Sequence, residues 1–188
     1  PLRVSLSGEH SGISILQKEL VEIGSSHKKS PYIQIVNSEY SGDYSVLAKN
    51  NTYQITRAND SIPVSVSVKD YSSESVIDVI QKLEHISRWK TIAELASPAS
   101  SQINGTVDIK IYTGIESTLA DSSEITNFQT LLQYYFDDES MNWVPPRFRI
   151  KLYNNSNETL YCALFYLTEL FKAEVIKPDG VGSLTRLS

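Results

Sequence analysis

A chain of 188 residues with 40% hydrophobic and 10% aromatic side chains can form one large domain or two small ones around a core that needs no staples. Its formal net charge of -5 and pI near 5.2, with no Lys/Arg cluster beyond Lys28-Lys29, give no long-range pull on phosphate backbones and argue against a nucleic-acid partner. A single cysteine rules out an internal disulfide and a multi-cysteine zinc site and favours a reducing compartment, while no apolar run reaches the roughly 18 residues of a membrane span.

Leu2, Val4 and Leu6 alternate as a first strand. Ser11 is placed to cap a helix whose Ile13, Leu16, Leu20 and Ile23 recur at helical spacing before Gly24 ends it. After a polar link over residues 25–30, residues 32–36, 44–49, 52–57 and 64–68 read as short strands, with Asn50-Asn51 as a tight turn because Asn tolerates positive φ. Ser72 or Ser73 then caps the longest helix, which Pro98 stops. That helix carries two stripes: Val76, Val79, Ile80, Leu83 and Ile86 on one face, and His85, Trp89, Ile92 and Ala96 on another. The second stripe predicts a second packing partner.

Residues 97–101 form the best linker, and a strand begins at Val107. The expected domains are therefore 1–97, an α/β subdomain of short strands and two helices, and 98–188, a β-rich antiparallel sandwich-like subdomain. The second contains an acidic connection over residues 115–127, a strand over 131–136, the turn at residues 137–140, and Pro145-Pro146. Residues 148–167 then read as two strands joined by the polar turn 154–157. Arg149, Lys151 and Tyr153 mark a wet face on the first, and Leu160 to Leu167 reads as a buried central strand. With strands near Glu174 and Leu184, the fold class is α+β. Pro1 at the start and a strand-like end over residues 184–188 suggest an excised piece, its last strand cut short.

Few residues of the chain have the pattern of a catalytic or ligand-binding set. Cys162 with His10, His27 or His85 is the only thiol–imidazole option for a hydrolase, but Cys162 sits in the most apolar strand and is expected to be a buried structural thiol. The segment Gly8-Glu9-His10-Ser11-Gly12 looks superficially like a catalytic His loop, yet it stands where a helix starts and reads as a loop. Three scattered His residues lack metal-ligand spacing, and no P-loop or dinucleotide glycine pattern occurs, so neither a metal nor a cofactor is expected. Asp137, Asp138 and Glu139 read as a solvated turn rather than a calcium loop. The sequons at Asn50, Asn59, Asn104, Asn154 and Asn157 are what a chain rich in Asn and Ser produces by chance. Four side chains stand out as a possible interaction surface: His85 and Trp89, which more often glue subdomains, and Trp143 and Arg147, which with Tyr134, Tyr135 and Phe136 have the composition of a protein-binding patch.

Three segments resemble a known group: residues 83–89 with Glu94-Leu95 and Pro98, Gly42-Asp43-Tyr44 with Tyr53-Gln54-Ile55, and residues 154–167. Together they resemble the non-catalytic region C-terminal to the peptidase domain of bacterial, especially cyanobacterial, caspase-like (metacaspase-like) cysteine peptidases. In that family a His/Cys dyad lies on an upstream caspase fold. Here neither a caspase-type His-Gly strand end nor the family's Cys-bearing loop is present, so no catalytic residue carries over. The resemblance implies a regulatory or recognition domain that is not itself an enzyme, acting in the bacterial cytoplasm on its own peptidase domain or on a protein substrate. A hydrolase built on Cys162 and a secreted binding sandwich are the alternatives.

Overall fold

Alternating apolar residues in the first third of the chain build one sheet. In a computed structural model, the structure describes residues 1–22, 30–37, 42–113, 123–125, 134–146, 148–176 and 185–187. Strand β1 (Leu2–Gly8) leads into helix α1 (His10–Glu22), which returns to β2 (Ile33–Val36); β3 (Tyr44–Lys49), β4 (Thr52–Arg57) and the short β5 (Val68–Lys69) follow. The sheet order is β2-β1-β3-β4-β5. β1 is parallel to β2 and β3, whereas β3–β4 and β4–β5 are antiparallel. Asn50 and Asn51 close the β3–β4 hairpin at φ 52° and 56°, the left-handed pair a two-residue turn demands. Of the expected strand over residues 64–68, only Val68 joins a ladder, and Pro63 makes a single bridge to Thr56.

Helix α2 (Ser73–Ala93) packs beside α1 on the sheet. Ser72 caps it by accepting from the Ser75 amide, and the helix stops at Glu94 rather than at Pro98. The core joins Leu2, Val4, Val46, Tyr53 and Ile55 of the sheet to Leu16 and Leu20 of α1 and to the expected α2 stripe, Val76, Val79, Ile80, Leu83 and Ile86. Tyr53 buries its ring and donates its hydroxyl to the Gly12 carbonyl at 2.8 Å; burial pushes its phenol up to about 12.

The segment that resembled a His loop is structural. Gly8 has φ 106° and lies against the β3 backbone, and Gly12 is close to Ala48 and Tyr71. Glu9 between them accepts from the Tyr71 hydroxyl at 2.7 Å and the Asn50 amide at 2.8 Å, and these bonds, Tyr71 first, lower its pKa.

The remaining strands are β6 (Val107–Thr113), β7 (Ser123–Glu124), β8 (Tyr135–Asp137), β9 (Asn142–Val144), β10 (Phe148–Asn154), β11 (Leu160–Cys162), β12 (Leu164–Leu167), β13 (Ala173–Ile176) and β14 (Thr185–Leu187). The class is α+β, with the described strands of this β-rich half paired antiparallel where their register is resolved. The wet face of β10 is as expected, but its partner is not. β10 pairs with β6, while β11 pairs with β14 and β12 with β13, so residues 148–167 do not fold as one hairpin. Nor is residues 160–167 a buried central strand: Tyr161 is 68% exposed, and Phe165 and Tyr166 are also exposed. The apolar run is cut by breaks between short strands, each with its own partner. On the β6–β10 ladder Lys110 stands directly opposite Lys151, a like-charge pair that would repel. It is relieved because Lys110 pairs with Glu124 at 3.2 Å and Lys151 lies over the Tyr112 ring at 5.5 Å.

The chain forms two compact units: Pro1–Ala96 with Phe165–Val175, and Ser97–Leu164 with Ile176–Ser188. The break after residue 96 falls at the linker. The return of residues 165–175 to the first unit has no counterpart in the expected division.

Candidate functional site

The α2 stripe that begins at His85 meets residues 168–172, the tip between β12 and β13. Phe171 of this tip is 6% exposed, with its ring edge-to-face against Trp89 (centroids 5.3 Å apart) and against Tyr44 (6.1 Å). His85 Nε2 lies 2.7 Å from the Phe171 carbonyl, and the Trp89 indole N–H donates to the Lys172 carbonyl at 3.3 Å. The tip is closed by its own bonds, the Thr168 amide to the Lys172 carbonyl and the Phe171 amide to the Thr168 carbonyl, which hold Phe171 at φ 61°. An aromatic residue adopts that conformation only when its surroundings over-determine it. His85 and Trp89 thus anchor a distant hairpin within the first unit. Their polar atoms are committed to its backbone.

Trp89 also lines an open cleft of about 420 Å³ with Gly42, Asp43, Tyr44, Arg57, Asn59, Lys90, Ala93 and Glu94. Asp43 organises it, accepting from Arg3 at 3.0 Å and from Lys90 at 3.2 Å. Burial alone would raise the Asp43 carboxyl, but the bonds from Arg3 and then Lys90 outweigh it and hold the group below the usual carboxylate range. Lys90 also reaches Glu94 at 3.7 Å, and Arg57 approaches Asp60 at 4.0 Å. The charges balance around the cleft, so the network ties the start of β3 to the end of α2.

Cys162 is half-buried, not sealed in a core as expected, because β11 is a short strand whose neighbour Tyr161 faces solvent. No imidazole hydrogen-bonds to it among the described residues: His85 holds the Phe171 carbonyl, and His27 lies outside them. The thiol should therefore react with a water-soluble disulfide reagent in native buffer at a rate within about tenfold of that in denaturant. A native rate about a hundredfold slower would put it back inside.

Trp143 has a different setting. On the β8–β9 hairpin it stands directly opposite Phe136, their rings edge-to-face with centroids 5.4 Å apart. Trp143 is 66% exposed and Met141 71%, and Tyr134, Tyr135 and Phe136 are exposed as well. Asp137 builds the turn: its carboxylate accepts from the Ser140 hydroxyl at 2.6 Å and the Glu139 amide at 3.2 Å, and these bonds, Ser140 first, lower its pKa. Arg147 lies outside the described residues.

Of the four residues singled out from the sequence, His85 and Trp89 come together and Trp143 stands on a separate hairpin. Phe171 carried no sequence signal, and Asp43 entered only through the Gly42-Asp43-Tyr44 resemblance, with no role attached; each acts through partners more than 35 positions away. Among the described residues, no helix is long and apolar enough to cross a membrane, and no group of three His, Cys, Asp or Glu could hold a metal ion. No family model, curated protein or solved structure matches this chain.

Proposed function

We propose that this chain is a non-catalytic accessory domain of a bacterial, cytoplasmic caspase-like cysteine endopeptidase, acting through contacts with its own peptidase domain or a protein substrate. The observation that carries this reading is the exposed aromatic hairpin. Soluble proteins seldom leave a large contiguous apolar patch open to water unless it meets another surface, and Trp, Tyr and Phe are the side chains that anchor protein interfaces. Trp143 and Phe136 are in ring contact and exposed, and Tyr134 and Met141, near them in sequence, are exposed as well. The resemblance of residues 83–89 with Glu94-Leu95 and Pro98, of Gly42-Asp43-Tyr44 with Tyr53-Gln54-Ile55, and of residues 154–167 to the region behind the peptidase domain supports the choice of parent.

The test is deletion of residues 1–188 from a parent peptidase that carries them. Cleavage of protein substrates or autoactivation should change at least about tenfold, while already activated enzyme should cleave a short peptide within about twofold of the intact rate. Loss of short-peptide turnover in a folded, processed peptidase domain would mean that this segment supplies part of the active site, and the reading would fall.

A further inference from the structure

We propose that the β8–β9 hairpin is a docking surface for an extended, basic protein segment, whose Lys or Arg side chains lie on the Trp143–Phe136 face and reach the carboxylates of Asp138 and Glu139. This deepens the accessory-domain reading and rests on it. Charge complementarity selects the occupant. Residues 134–146 contain Asp137, Asp138 and Glu139 and no Lys or Arg. Asp137 is committed to the turn, but the exposed side chains of Asp138 and Glu139 make no hydrogen bond or ion pair among the described residues. They are one turn away from the Trp143 ring, which is 66% exposed.

The chemistry is that of a cation held between a π-face and a carboxylate. Each contributes little alone in water, and together they discriminate a cationic side chain from an anionic or purely apolar one. An aliphatic stem of Lys or Arg suits the apolar face, because it can lie along Phe136 and Met141 while its charged end stays at the turn. An acidic segment would meet the like charges of Asp138 and Glu139 at this turn. A second copy of this chain would bring the same acidic turn against itself in a two-fold contact, which like charges disfavour.

Fluorescence anisotropy of the whole 188-residue chain with a labelled peptide of alternating Arg and Leu tests this, beside a control in which Glu replaces Arg. The Arg peptide should bind and the Glu peptide should not, and Trp143→Ala should weaken binding about tenfold. Because Trp143→Ala could disturb the hairpin, Asp138→Asn with Glu139→Gln is the second variant; it leaves the ring pair and the Asp137 turn in place and should weaken binding about threefold or more. Raising salt from about 50 to about 500 mM should act in the same direction. Equal binding of both peptides, no binding of either, undiminished binding by both variants, or self-association lost in Trp143→Ala would each overturn the proposal. The deletion experiment has a separate readout, so failure here would leave an accessory domain with a different docking surface, whereas failure there would remove the accessory role itself.

Discussion

Replacing Phe171 by alanine is expected to lower the unfolding free energy of the first unit by about 3 kcal/mol, measured by urea denaturation at unchanged slope. Three contributions are lost together: burial of a ring that is 6% exposed, and its edge-to-face contacts with Trp89 and Tyr44. Burial alone is worth about 2 kcal/mol, and each aromatic pair adds about 0.5–1.5. The left-handed backbone at φ 61° stays strained after the truncation, because alanine also has a Cβ. The His85 and Trp89 hydrogen bonds to the tip's backbone are then left to hold it against that strain, so its docking on α2 should weaken. Trp89→Ala should cost a similar amount, and a double-mutant cycle should return a coupling of about 1 kcal/mol between the rings. A loss below about 0.5 kcal/mol for Phe171→Ala would mean that the tip does not dock on α2.

Gly8→Ala is expected to be more damaging still. At φ 106° an L side chain is strained, and its Cβ would lie 2.0 Å from the Ala48 carbonyl oxygen and 2.9 Å from that carbonyl carbon. The obstacle is backbone of the neighbouring strand, so no rotamer change relieves it. β1 and β3 must separate where β1 hands over to α1, and Glu9 loses its approach to the Asn50 amide in the same movement. The loss should reach about 4 kcal/mol or abolish cooperative folding, read by thermal unfolding and far-UV circular dichroism. Gly105→Ala is the control: it has φ 73° but nothing within 4 Å of the added carbon, and should cost about 1 kcal/mol. Equal costs at the two sites would show that strand proximity at Gly8 is not what selects glycine.

Local pattern was enough for much of the first unit. The period of two in β1, β3 and β4, the Asn50-Asn51 turn, the Ser72 cap and the buried α2 stripe all follow from spacing and capping chemistry within a few residues. The two stripes of α2 even announced that His85 and Trp89 face a second partner. They could not say which. That partner is a hairpin tip 86 positions away from His85, with Phe171 in a conformation no propensity favours.

The β-rich half was less legible, for the same reason at larger scale. An apolar run such as residues 160–167 states that strands form, but a strand's partner is chosen by long-range pairing, and here β11 and β12 choose different ones. Cys162 became half-buried and Tyr161 exposed through that choice. The aromatic hairpin was visible as composition, and only pairing Phe136 with Trp143 placed their rings on one exposed face. The sequence by itself determined the α+β class, the helices and the local turns, because periodicity and capping act between near neighbours. Tertiary structure decided what His85 and Trp89 hold, which carboxylates are spent, and which aromatics remain open to a partner, because those depend on contacts between segments whose separation along the chain leaves no local trace.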